Sequence, residues 1–248
     1  MNQLKTLKTF IVTTFFLISS FGISEGQNTS EFGIMGGLNI SDFNNLPDGL
    51  TSTSSTGFHF GGFMTFPLSS NFDIQPGIIY TQLGGTMNQS ESGQDSVSNG
   101  TTSYLANINI TQSIKITYGY LQFPVNLVHK FGEGWNVHFG AYLGFLLSDK
   151  EHIVQTTSIA IPGYPTQVSD TSGNTNTTVG DNRIDFGLNL GIGYTMNSGL
   201  GISFTYSFGF TNIIQAQSGY DPLSGQPITS PAFGSNVLYC FSISYLLR

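Results

Sequence analysis

Charge is what this chain has least of. Only 8% of its 248 residues are Asp, Glu, Lys or Arg, against about 25% in an ordinary soluble domain. The shortage argues against a surface built to be solvated on all sides. The charges present are mainly acidic, seven Lys and Arg against fourteen Asp and Glu, for a net charge of −7. That balance excludes nucleic acid as a partner. A single cysteine, Cys240, excludes an internal disulfide and any Cys-based zinc site. Long apolar runs are also missing. Beyond the first two dozen residues no segment is apolar enough to make a membrane helix.

What the chain has instead is glycine, phenylalanine and tyrosine (31, 21 and 11 residues) in a two-residue rhythm. The hairpin from Arg183 to Phe210 shows it most clearly. Ile184, Phe186, Leu188, Leu190, Ile192 and Tyr194 make one row, and small or polar residues make the other. After the turn Met196-Asn197-Ser198-Gly199, the row Leu200, Ile202, Phe204, Tyr206, Phe208 and Phe210 resumes it. A period of two is strand geometry, because successive side chains point to opposite faces. Alternation also explains a mean hydropathy of only +0.04.

The same code predicts strands at about Phe32–Ser41, Gly57–Leu68, Phe72–Leu83, Ile114–Phe131, Trp135–Ser148 and Asn236–Arg248. With the hairpin this makes eight. Pro76 donates no ladder hydrogen bond and is expected to mark a bulge. The connections alternate long and short. The short ones are Ser69–Asn71, Gly132–Gly134 and Met196–Gly199. The long ones are polar, including Gly84–Ser113 and Asp149–Asn182. Eight strands with tight turns at one end and long loops at the other is the pattern of an all-β, antiparallel, up-and-down transmembrane barrel. Closure also pairs every backbone N–H and C=O, which lipid demands.

Residues 1–26 read as a signal peptide. Lys5 and Lys8 precede the apolar stretch Phe10–Ile23, and Gly22, Ser24 and Gly26 offer cleavage sites. Residues 27–248 are then the barrel domain. Export without a membrane helix or a lipid-anchor cysteine leaves the periplasm, secretion or an outer-membrane barrel, and the strand pattern selects the barrel, with both termini periplasmic. A soluble eight-stranded barrel would carry the alternation reversed in space. The near absence of Lys and Glu from the strands, and polar rows too small to solvate a surface, favour the membrane.

A barrel of eight strands is expected to be filled by its own side chains. The inward polar set is His59, Asp73, Gln75, Gln122, Asn126, His138, Arg183, Asp185 and Asn189, read as a hydrogen-bonded interior network. Phe131, Trp135, Tyr194 and Tyr245 gather near the short turns as an aromatic girdle. No catalytic triad is visible. The nearest approach to one, for a remote reading as a rim-active lipid-modifying enzyme, is His152 with Ser148. His59 and His138 lack metal-ligand spacing, and Asp170 and Asp181 lack calcium-loop spacing. No cofactor is expected.

Four stretches carry a family resemblance: FGIMGGLNIS (Phe32–Ser41), YLQFPVNLVHKF (Tyr120–Phe131), WNVHFGAYLGFLLS (Trp135–Ser148), and DFGLNLGIGY (Asp185–Tyr194) with YSFGFTNI (Tyr206–Ile213). In order and spacing they resemble the PorT-like outer-membrane β-barrel family of Bacteroidetes. Met35 stands where that family often has a basic residue, and the end Tyr245-Leu246-Leu247-Arg248 lacks its usual terminal aromatic. The resemblance implies a signal-bearing outer-membrane barrel. It implies little about activity, since one member serves the type IX secretion system but most are barrels of unknown role. Expected partners are outer-membrane lipid, the barrel-assembly machinery, and a surface ligand or envelope protein held by the long loops. An accessory role in an envelope secretion or transport machine is the alternative.

Overall fold

The structure, a computed structural model, describes residues 30–98, 103–175, 183–212, 217–220, 227–230 and 232–247. The signal segment and Asp181 lie outside them. Among the described residues the regular elements are strands: β1 (Glu31–Asn44), β2 (Leu50–Pro67), β3 (Phe72–Ser98), β4 (Ser103–Phe131), β5 (Trp135–Ala160), β6 (Gln167–Thr175), β7 (Ile184–Thr195), β8 (Leu200–Gly209), β9 (Gln217–Tyr220), β10 (Pro227–Ser230) and β11 (Ser235–Leu247). Eight of them close an antiparallel ring, β1-β2-β3-β4-β5-β7-β8-β11, and β1 pairs with β11 to complete it.

Around this ring the apolar rows face outward. Leu38, Ile243, Leu190, Phe139 and Phe241 are each more than half exposed. Adjacent strands bring them together in cross-strand pairs such as Phe139 opposite Leu190 and Phe204 opposite Phe241. The Phe204 and Phe241 ring centroids stand 5.1 Å apart. A soluble monomer rarely exposes so continuous an apolar surface. The ring segments of β7, β8 and β11 are 12, 10 and 13 residues long. A tilted strand needs about 9–11 to cross a bilayer. The band is therefore the lipid-facing belt, and the strands make the crossing.

Tight turns join the strands at one end. Gly134 (φ 96) and Gly199 (φ 87) take the left-handed backbone conformation that these turns require. Beside them stand the four aromatic residues singled out in the sequence, Phe131, Trp135, Tyr194 and Tyr245. The Trp135 and Tyr194 rings meet edge to face at 5.2 Å, Phe131 pairs with Trp135, and Tyr245 is half exposed on β11.

Three expectations are corrected, two of them at the other end. The stretch Gly84–Ser113, read as a loop, is mostly strand. β3 and β4 pair without a slip from Ile79 opposite Gln122 to Ser98 opposite Ser103. Asp149–Asn182 likewise carries β5 up to Ala160 and then β6, which pairs with β5 from Glu151 opposite Thr175 to Ile159 opposite Gln167. Short polar side chains hide a strand in composition but still form ladders across it. Isoleucines on one face support these ladders, with Ile114 opposite Ile153 and Ile108 opposite Ile159. Thus β3, β4, β5 and β6 rise beyond the apolar belt as one sheet. Finally, Pro76 marks no bulge. The β3–β4 register is the same on both sides of it, and the shifts fall at Ser54/His59 between β2 and β3 and at Gly119/Tyr120 between β4 and β5.

Candidate functional site

The inward rows divide the lumen into two unlike halves. Toward the long-strand end it is solid. Phe43, Leu83, Met87, Ile116, Tyr118, Tyr120, Leu146 and Leu238 form a buried cluster. The Phe43 and Tyr118 rings meet edge to face at 6.3 Å, as do those of Tyr118 and Tyr120 at 6.1 Å. This apolar plug went unforeseen, although position counting could have found it. Leu146 continues the inward row of Tyr142 and Gly144, and Leu238 that of Cys240 and Ser242.

Just inside the plug sits Asp185, 1% exposed. Tyr142 Oη donates to its Oδ2 at 3.1 Å and Asn236 Nδ2 donates to the same oxygen at 3.0 Å. Asp185 Oδ1 and Asn236 Oδ1 have no hydrogen-bond partner among the described residues. Arg183 does not join this group. It precedes β7 and is exposed, and its backbone carbonyl accepts from Leu146 N at 2.8 Å.

Toward the short-turn end the lumen is hollow. A cavity of about 570 Å³ runs from the turns to mid-barrel. The expectation of a completely filled barrel is corrected here: glycine, serine and threonine interrupt the inward rows of this half, among them Gly77, Thr81, Gly193, Ser203 and Thr205, and the larger side chains between them do not fill the space. The remaining polar residues singled out in the sequence line this cavity. His59 is held by Ser242 Oγ at 2.8 Å and Asn39 Oδ1 at 3.3 Å. His138 Nε2 lies 2.9 Å from Thr205 Oγ1. Gln75 Nε2 donates to Thr65 Oγ1 at 3.1 Å, Thr81 Oγ1 donates to Gln122 Oε1 at 3.1 Å, and Asn189 Nδ2 reaches Asn126 Oδ1 at 3.4 Å. At the mouth Lys130 Nζ pairs with Asp73 Oδ1 at 2.8 Å. The polar side chains form wall-hugging pairs rather than one network spanning the lumen.

Outside the ring, His152 Nδ1 bonds Asn174 Oδ1 at 2.7 Å across β5 and β6, and no hydrogen bond joins it to Ser148 among the described residues. Nor do the described residues bring together three metal-ligating side chains.

A closed antiparallel ring with a lipid-facing apolar belt defines an outer-membrane β-barrel protein. The chain belongs to the outer membrane protein beta-barrel domain family, whose model matches residues 22–215. No curated protein matches it. Among solved structures it is similar to Ail, the attachment invasion locus protein of Yersinia pestis, at 10% identity over 89% of this chain and 100% of that one, with a TM-score of 0.39. It is also similar to Neisserial surface protein A, at 9% identity over 88% and 99% of the two chains, TM-score 0.37. A third is OprG from Pseudomonas aeruginosa, at 13% identity over 89% and 98%, TM-score 0.31. The likeness is confined to the fold.

Proposed function

We propose that this outer-membrane barrel is a non-porin scaffold that displays the β3–β6 sheet at the cell surface, where the sheet binds a ligand or partner. The reading takes residues 1–26 as an export signal and places the short turns and both termini in the periplasm. Folding would then proceed through the barrel-assembly machinery. The observation that carries the proposal is the sheet itself. Its strands continue in register beyond the lipid belt, far past the length needed to cross a membrane. Its outward row presents neutral hydrogen-bonding groups, such as Ser92, Asn107, Asn109, Thr156 and Ser172. Rigid elements that project from a scaffold are suited to recognition. The plug supports the non-porin part, since a cluster of buried side chains fills the ring toward the long-strand end.

The test is to shorten the β3–β4 hairpin. Ser90 faces Thr111 in the ladder, so residues 91–110 can be replaced by an Asn-Gly turn without disturbing the pairing below. The variant is expected to reach the outer membrane and keep the heat-modifiable gel mobility of a folded barrel. Adhesion of whole cells to protein- and glycan-coated surfaces should be lost. Unchanged adhesion would refute the display reading. A defect in secreted proteins on gene deletion would favour the secretion role instead.

A further inference from the structure

We propose that the hollow half of the lumen is a binding cup for one small neutral saccharide, entered from the short-turn end. This is a second site, independent of the projecting sheet.

The cup has a floor. Above mid-barrel the side chains of Tyr120, Tyr142 and Leu238 are almost wholly buried, while Gly132, Gly134 and Asn197 of the short turns frame the mouth. Its volume of about 570 Å³ falls within the roughly 300–1,000 Å³ of small-molecule sites. An eight-stranded ring is also the size at which a barrel can either fill itself or hold one small ligand. Here the two halves take one option each.

The walls select the class of occupant. Glu31, Asp73 and Lys130 line the mouth, at the first position of β1, the second of β3 and next to the last of β4. Deeper in, the lining carries no carboxylate or ammonium among the described residues. It carries amides, hydroxyls and two imidazoles, several of them tied sideways to a wall neighbour, interspersed with apolar side chains such as Met35, Ile79 and Val128. An Asn or Gln amide can make four hydrogen bonds and a hydroxyl three. A single wall pairing uses one of these, so donors and acceptors remain for a guest. Groups held against the wall are also already positioned, which lowers the ordering cost of binding. A charged guest would find no counter-ion in this wall, and an apolar one would strip water from polar groups without replacing its bonds. A guest that donates and accepts at many points, and carries no charge, fits both constraints. Phe63, 7% exposed, adds an aromatic surface. Its ring lies over Gly33, where any Cβ would come within 2.3 Å of it.

Cys240 lines the cup and is the chain's only cysteine, so it serves as a built-in reporter. The full-length protein, refolded in detergent, is treated with a small neutral thiol reagent, with and without cellobiose or N,N′-diacetylchitobiose. Cys240 should react, and the neutral disaccharides should slow it saturably. At ten times the dissociation constant, mass action gives about a tenfold slowing. Glucuronate and glucosamine at equal concentration should protect little. Titration calorimetry with the same disaccharides should report one site, weakened at least severalfold in Gln122→Ala and Asn126→Ala proteins that retain folded-barrel gel mobility. The proposal is overturned by a Cys240 that never reacts, by rates indifferent to all sugars, or by equal protection from the charged ones. If either variant does not fold, protection and calorimetry on the unaltered protein still decide.

Discussion

Leu190→Arg should destabilise the folded barrel in lipid by about 2–4 kcal/mol, the cost of arginine on the lipid face near the bilayer midplane. Leu190 lies midway along β7, is 57% exposed, and faces Phe139 on β5 and Tyr206 on β8. Its surroundings are lipid, which cannot solvate a guanidinium at that depth. The same change at Leu247, at the short-turn end of β11, should cost only about 0–1 kcal/mol, because there the side chain reaches the interface. Reversible urea unfolding from vesicles would show both values. A surface arginine on a water-soluble barrel would normally fall within about 0.5 kcal/mol of neutral at either position. The gradient between the two sites therefore separates the environments, even if absolute stabilities vary with the lipid.

Tyr142→Ala should cost about 3–5 kcal/mol, as for other large aromatic deletions in a packed interior. Tyr142 is 3% exposed, and its hydroxyl is one of two side-chain donors to Asp185 Oδ2. Losing the ring leaves a void, and losing the hydroxyl leaves a buried carboxylate with one donor fewer. Tyr142→Phe separates the two effects and should cost about 1–3 kcal/mol, the penalty for removing a hydrogen-bond partner from a buried polar group. Thr205→Ala, in the hollow half, should stay within about 1 kcal/mol, because water in the cup can take up the bond to His138. Equal losses at Tyr142 and Thr205 would contradict the division of the lumen into plug and cup. The same unfolding assay reads all three.

The ring was legible because its code is simple. Ile184 to Tyr194 and Leu200 to Phe210 alternate without interruption, and a bilayer imposes one outer chemistry along the whole belt. Lumen residues such as His59, His138 and Asn189 were legible for the same reason, since each stands on the small or polar row. Above the belt that constraint ends. Residues 90–98 and 103–113 meet water on their outward row, so serine, asparagine and threonine replace phenylalanine and composition imitates a loop. What holds those strands is pairing with distant partners, such as Ile108 with Ile159, and tertiary pairing leaves little local trace. The plug was obscured differently. Leu83, Ile116, Leu146 and Leu238 place apolar groups on the inward row, which a two-letter code of greasy-out and polar-in does not anticipate. Arg183 was misplaced because it precedes the strand whose parity it shares.

The central claim is that neighbouring residues on one strand face lipid and lumen in turn. Trp135 is the chain's only tryptophan, so Trp135→Phe provides a silent background for placing one indole at Phe204 or at Thr205. Phe204 lies on the outward row beside Phe241, while Thr205 lines the cup. In vesicles of lipid brominated at mid-chain, fluorescence from the Phe204→Trp protein should be strongly quenched, and that from the Thr205→Trp protein should not. Equal quenching at both positions, or quenching at 205 alone, would contradict the account.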